Sequence, residues 1–460
     1  MIVLSRQPGG ASLYAQLYAA LRDQIVSGQR PAGAKMPSKR IMAQSMNISV
    51  NTVDAAYRQL ESEGYIQVRP RSGFYVCDIE ELAPHLETVE ETGPTGAAED
   101  PVSVDFSPGG IAAEKFPLRR WQQLLRAQME DRTALTSTPP EGDPGLRQAI
   151  AAYLYRARGV KCNPEHIIIG AGSVNLLTCL SYLLPNECDF AVENPVYNRA
   201  YQIFARMGHR VVPAQIDHSG VMPQPLEELE QAVLYTTPSH QYPLGLCMPM
   251  GRRVQLLNWC SHKPFRYVIE DDYDSEFRYD SRPIPSLQSI DRGGRVIYLG
   301  TFSRSVSPGL RISYMVLPDT LYRLYRQVYR DFGSGVSALE QRVLREFILQ
   351  GDFERHLNRM RVYYKNQRSF FVQRLSGFGE VIEIIGEAAG HHLAVRVHNG
   401  MREQELCRSA LAQGARVYPI SRYFIGQMPE IYERKLLLGF GGLSREEIDR
   451  GVWLLEKAWL

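Results

Sequence analysis

The stretch VIEDDYD sets Asp271 directly after an apolar run and Tyr273 two residues later. A carboxylate in such a place can keep the nitrogen of a pyridine ring protonated and so make the ring an electron sink. Tyr273 could donate to a ring hydroxyl. In GTFSRSVSPGLR, Ser303 and Arg311 offer charge-assisted hydrogen bonds to a phosphate. Gly172 and Ser173 open a helical pattern behind another apolar run, where free backbone N–H groups suit an anion. Taken singly, an Asp after a strand is more often an ordinary polar loop residue, and a Gly-Ala-Gly turn says less still.

A second group of residues lies near the N-terminus and suits nucleic acid. Ser49, Asn51 and Thr52 stand at the start of a predicted helix. Asn can pair bidentately with adenine, whereas Ser and Thr are less selective. Lys35, Ser38, Lys39, Arg40 and Arg58 are candidates for phosphate contacts, which position a protein without reading sequence. Arg69, Arg71 and Gly73 fall at a predicted hairpin tip that could approach the minor groove. Each of these is as readily a plain surface or turn residue when judged alone.

The elements that must position both groups follow from periodicity. Leu13, Leu17, Leu21 and Ile25 recur every four residues and predict a helix. Ser38 is a candidate N-cap for a short helix through Ile41, Met42 and Met46. Ser49 can cap a third helix, whose buried face would be Val53, Ala56, Tyr57 and Leu60. Residues 65–68 and 74–76 read as strands around Arg69-Pro70-Arg71-Ser72-Gly73. Helix, helix-turn-helix and basic hairpin make the layout of a winged helix. From Asp105 onward, short apolar runs alternate with helical patterns, which predicts an α/β body with a mostly parallel sheet. Ligands in such bodies sit at the carboxyl ends of the strands. From about residue 335 the chain turns helical and then strand-like at 381–385, 393–397 and 436–440, which predicts a smaller C-terminal α/β subdomain.

Charge divides the chain the same way. Residues 1–77 carry nine Lys/Arg against four Asp/Glu, while 78–104 carry eight acidic residues and no Lys/Arg. The boundaries expected are therefore a DNA-binding head at 1–77, an acidic linker with Pro and Gly at 78–104, and a body at 105–460. The whole chain of 460 residues is 44% hydrophobic, with net charge +2, an ordinary globular profile. No apolar run approaches the roughly 18 residues of a membrane span, and Met1–Gly10 lacks a signal pattern, so a cytoplasmic protein is expected. Seven scattered cysteines without metal-type spacing fit a reducing compartment and no metal site.

Residues 12–76, from SLYAQLYAALRDQIVSGQRPAGAKMPSKR to NTVDAAYRQLESEGYIQVRPRSGFYV, closely resemble the GntR-type winged helix. Val50 departs from that pattern, which often has Arg after the capping Ser. EGDPGLRQAIAAYL, ENPVYNRA, TTPSHQYPLG, VIEDDYDSEFRY, YLGTFSRSVSPGLRISYMVLP and VYPISRYF resemble fold-type I pyridoxal-phosphate (PLP) aminotransferases. The whole chain thus resembles the MocR subfamily of GntR regulators. That resemblance implies Asp271 at the pyridine nitrogen, Tyr273 at the ring hydroxyl, and Ser173, Thr301, Ser303 and Arg311 around the phosphate. It implies Tyr197 near the ring, Arg199 and Arg422 near an effector carboxylate, and His240 and Gln241 as polar groups beside the ring.

The main departure is Arg304, where the family has the lysine that forms the Schiff base. A guanidinium stays protonated and cannot serve as that nucleophile or as a base. No lysine lies between Lys263 and Lys365. Val174-Asn175 and Ser313 are smaller departures. Three readings of the site are open. It binds PLP or a PLP–amino acid adduct non-covalently; it binds another anionic effector with Arg304 as an added clamp; or it is a structural dimerisation unit. The function expected is a homodimeric DNA-binding transcription regulator of double-stranded operator DNA that senses a small-molecule effector. The rival is a working aminotransferase with a fused DNA-binding domain, against which Arg304 argues.

Overall fold

The computed structural model describes residues 12–78, 102–279, 285–386 and 389–460. The chain divides into two compact units, 1–97 and 98–460. Of the expected acidic linker, residues 79–101 lie outside the described residues.

The head contains helices α1 (Leu13–Val26), α2 (Lys39–Met46) and α3 (Val50–Ser62), then strands β1 (Ile66–Arg69) and β2 (Gly73–Val76). The strands pair antiparallel, with Arg69 opposite Gly73. Ser38 and Ser49 both act as N-caps: their hydroxyls accept from Ile41 N and Thr52 N. Asn47 takes the left-handed conformation that ends α2 and turns the chain into α3. Leu17, Leu21, Ile25, Val53, Ala56, Tyr57 and Leu60 form one core with Ile66 and Val76, so the three helices and the hairpin depend on each other.

The body is built on an eight-stranded sheet. Strands Asp189–Asn194, Val211–Asp217, Ala232–Thr236, Arg266–Asp272 and Val296–Thr301 run parallel. Ser313–Val316 runs antiparallel between Val296–Thr301 and Ile167–Gly170. The central strands are buried at every position, as expected where helices cover both faces. A four-stranded antiparallel sheet includes Ile382–Ile385, His392–Val397 and Lys435–Gly439, and it forms the smaller C-terminal layer. Val104, placed by composition in the linker, is buried in the body core and pairs with Ala415. Its strand partner, which no sequence pattern revealed, fixes the start of the body. Among the described residues no helix is long and apolar enough to cross a membrane, and no cluster of His, Cys, Asp and Glu could hold a metal ion.

Leu60 is fully buried in the head core. Leu60→Ala should cost the head about 2–5 kcal/mol through lost burial and the cavity left behind. Hydrogen exchange on the full chain checks this: amides of α1–α3 should exchange faster while those of the body sheet stay unchanged.

Candidate functional site

Alternation along one strand decides which of two adjacent carboxylates is available. In Arg266–Asp272, successive side chains point to opposite faces. Asp272 meets the buried Arg158, whose Nε lies 2.8 Å from its Oδ2. Tyr298 and Ser275 donate to the same carboxylate. Asp271, facing the other way, lines a cavity of about 380 Å³ at the carboxyl ends of the strands. Its protein donor there is the hydroxyl of Tyr235, from the neighbouring parallel strand. Burial pushes the Asp271 carboxyl up to about 7, against the pull of the Tyr235 bond. A cationic partner, such as a protonated ring nitrogen, would oppose that shift.

Other residues lining the cavity suit an anion. Gly172 has φ +90°, and a Cβ added there would stand 2.2 Å from Nη2 of Arg311. The guanidinium is therefore seated on the backbone just ahead of helix Ser173–Leu183, whose N-cap Gly172 makes no side-chain cap bond. Arg311 itself is left-handed, with φ 50°. Ser303 N donates to Thr301 Oγ1 at 3.1 Å, and Ser313 Oγ lies 2.8 Å from that same oxygen. Ser303 and Thr301 both line the cavity. Arg304 also lines it, and its Nη1 donates to Pro108 O at 3.0 Å. No lysine lines this cavity among the described residues.

Ser173, Tyr197, Arg199, Asp271, Tyr273, Thr301, Ser303, Arg304 and Arg311 all line this one cavity. Arg422 does not. It lines an adjoining cleft of about 370 Å³, which shares Gly109, Tyr197, Arg199 and Tyr242 with the cavity. His240 and Gln241 are corrections as well, because neither lines the cavity. His240 is buried behind Tyr273, with Nδ1 2.9 Å from both Asp274 Oδ2 and the Tyr273 hydroxyl. An Nδ1–H shared between those oxygens leaves the Tyr273 proton for an acceptor in the cavity. Gln241 is buried and donates to Glu193 Oε2, Pro195 O and Tyr242 O, so it fixes the loop that carries Tyr242. Tyr235, Thr237 and Tyr242 line the cavity and carried no sequence signal of their own.

Arg304 is the positive centre of this region. Burial, reinforced by Arg304, holds the His391 imidazole neutral, well below the usual range. Among the described residues neither ring nitrogen of His391 has a hydrogen-bond partner. The Tyr197 hydroxyl is raised by burial and drawn back by Arg199 and Arg304.

In the head, Asn51, Arg40, Lys35, Ser38, Ser49, Arg58, Arg69 and Arg71 are exposed, and Gly73 has φ 113° at the hairpin tip. Ser49 and Thr52 are not free readers: their hydroxyls bond each other at 2.8 Å. Lys39 and Arg58 also differ from expectation. Both are ion-paired with Asp54 of α3, Arg58 at 2.8 Å. That pairing holds the Asp54 carboxyl below the usual carboxylate range, with Lys39 the larger cause. Lys35 and Arg69 stand over the Tyr75 ring, Arg69 at 4.4 Å from its centroid.

Residues 13–76 match the family of bacterial regulatory proteins of the gntR type, and residues 108–452 match aminotransferase class I and II. The HTH-type transcriptional regulator YdeL of Bacillus subtilis is 37% identical over 97% of this chain and 96% of its own length. MocR of Rhizobium meliloti, by name a rhizopine catabolism regulatory protein, is 32% identical over 100% of this chain and 96% of its own. The multiple substrate aminotransferase of Thermococcus profundus superposes with TM-score 0.70 at 24% identity, covering 82% of this chain and 96% of that one. LysN of Thermus thermophilus, an α-aminoadipate aminotransferase solved with N-(5'-phosphopyridoxyl)-L-leucine, gives TM-score 0.68 at 27% identity over 77% and 92%. A winged helix and an aminotransferase fold on one chain, matched along its length by regulators, assign the molecule: it belongs to the GntR-family HTH-type transcriptional regulators that carry an aminotransferase class I and II domain.

Proposed function

We propose that the body senses a phosphopyridoxyl ligand without a covalent bond, and that ligand occupancy biases how the heads of a homodimer engage operator DNA. The observation that carries this reading is Arg304, a permanently charged group lining a cavity that otherwise has a complete set of PLP-type partners. The seat of Arg311 on Gly172, the open helix N-terminus and the buried Asp271 suit the phosphate and the ring nitrogen. Asp271 would hold that nitrogen and Tyr273 the ring hydroxyl, with Ser173, Thr301, Ser303 and Arg311 on the phosphate and Tyr197 beside the ring. Bound there, PLP would supply an electron-withdrawing ring and an aldehyde that reacts with amines. Arg304 occupies the position of the family's lysine and, being protonated at all relevant pH, neither attacks that aldehyde nor carries its proton. Together with Arg199 and Arg422, it favours a ligand that brings a carboxylate, as a phosphopyridoxyl–amino acid adduct does. LysN, the aminotransferase solved with such an adduct, supports that choice of chemistry. A regulator, rather than an enzyme, follows from this reading. The ligand acts only as far as it prefers one arrangement of the heads. Two heads would read paired half-sites on duplex DNA.

Ligand binding and DNA binding each test this. PLP should bind reversibly and leave on dialysis, no amino acid should be turned over to its keto acid, and borohydride should leave no pyridoxyl mass on the wild-type chain. Arg304→Lys should gain that mass. A variant that gains none, or steady turnover abolished by Asp271→Ala, contradicts the proposal. In gel-shift titrations Arg40→Ala should weaken binding to all duplexes, whereas Asn51→Ala should mainly reduce discrimination, by about 1–3 kcal/mol at the position it reads. Equal loss on all duplexes for Asn51→Ala would remove it from the base-reading set.

A further inference from the structure

The reading face of α3 carries an acid. Asn51, Asp54, Ala55 and Arg58 share the side opposite the buried Val53, Ala56, Tyr57 and Leu60. Asp54 is the centre of a three-charge cluster that spans two helices. It accepts from Lys39 of α2 and from Arg58 one turn further along α3, at 2.8 Å. Lys39 is also held over the Phe74 ring, with Nζ 4.9 Å from the centroid. The two cations best placed at the shoulders of this face are therefore neutralised within the head. The cluster is half-exposed, so the pairs are weak enough to exchange for other partners.

An anion on a DNA-reading face repels phosphates everywhere on the duplex. It is tolerable where something offsets the repulsion, and a carboxylate can accept from an exocyclic base amine, cytosine N4 being the natural partner. On generic DNA Asp54 has no such donor and keeps Lys39 and Arg58 to itself. On a site that presents the amine, the carboxylate turns to the base and the two cations are handed to the flanking phosphates. We propose that Asp54 is a specificity-determining residue of the head: it withholds Lys39 and Arg58 from the phosphates of generic DNA and accepts a base amine at the cognate site. Discrimination built by penalising wrong partners differs in kind from an added contact. Val50 strengthens the need for it, since this face lacks a fixed cation beside the Ser49 cap.

The inference rests on the head binding duplex DNA, and the experiment separates the two. The full chain is titrated onto a random-sequence 30-bp duplex and onto the duplex it selects itself from a randomised library. Asp54→Asn should bind the random duplex about tenfold more tightly at roughly 0.1 M salt, with the slope of log K against log salt steeper by about one to two, because two more cations release counterions. Its affinity for the selected duplex should change less than threefold, so the specificity ratio falls. Asp54→Glu, which keeps the charge, should retain the wild-type slope. Lys39→Gln and Arg58→Gln should matter more in the Asp54→Asn background than alone, a coupling that a merely destabilised head would not give. Library selection with Asp54→Asn should lose one amine-bearing base preference per half-site. Unchanged random-duplex affinity and slope, equal tightening on both duplexes, or an unaltered selected site would overturn the inference. A wild-type chain that binds neither duplex would instead overturn DNA binding by the head itself.

Discussion

A carboxylate kept out of water at the end of a fully covered strand is the constraint on which the body turns. Among the described residues Asp271 has one side-chain donor, Tyr235, and no ion-pair partner. Its neighbour Asp272 has Arg158, Tyr298 and Ser275. The contrast follows from the two-residue period of the strand, which sends one carboxylate into the structural network and the other into the cavity. Burying a charge without a partner is costly, and the rise of the Asp271 carboxyl toward neutrality is how the free protein meets that cost. Everything around the cavity can be understood as the remainder of a partner for that group.

The cations are distributed to match. Arg311 sits on Gly172, Arg304 and Arg199 line the same cavity, and Arg422 stands in the adjoining cleft. One acid and several arginines around one cavity are what the proposed phosphopyridoxyl ligand, cationic at its ring nitrogen and anionic elsewhere, would require. Gly172 matters through what it lacks: with φ +90° and no Cβ, it lets a guanidinium rest against the main chain. In the head the charge logic is inverted. There an acid sits among the cations, and Asp54 ties α2 to α3 through Lys39.

Local periodicity made the head legible. The four-residue spacing of Leu17, Leu21 and Ile25 and the caps Ser38 and Ser49 define elements whose burial depends on near neighbours. The central strands were legible because burial on both faces leaves continuous apolar runs, as in Ala232–Thr236. The strand Val211–Asp217 was not, because it lies near the sheet edge, alternates weakly and contains Pro213. The short pairing of Val104 with Ala415 joins residues 311 positions apart. Site residues at or just after the end of a strand, such as Asp271 and Ser303, could be named from the sequence. The partners through which other named residues act could not. His240 reaches the cavity by way of Tyr273, and the pairing of Lys39 and Arg58 with Asp54 depends on how two helices cross.

The direct measurement is equilibrium binding of PLP to the wild-type chain and to Asp271→Ala, by titration calorimetry at pH 7. If the Asp271 carboxylate is the anchor for a protonated ring nitrogen, Asp271→Ala should lose PLP affinity by a factor of ten or more, since a charge-assisted bond in a dry site is worth about 1.5–3 kcal/mol. Equal affinity in both proteins would contradict the account.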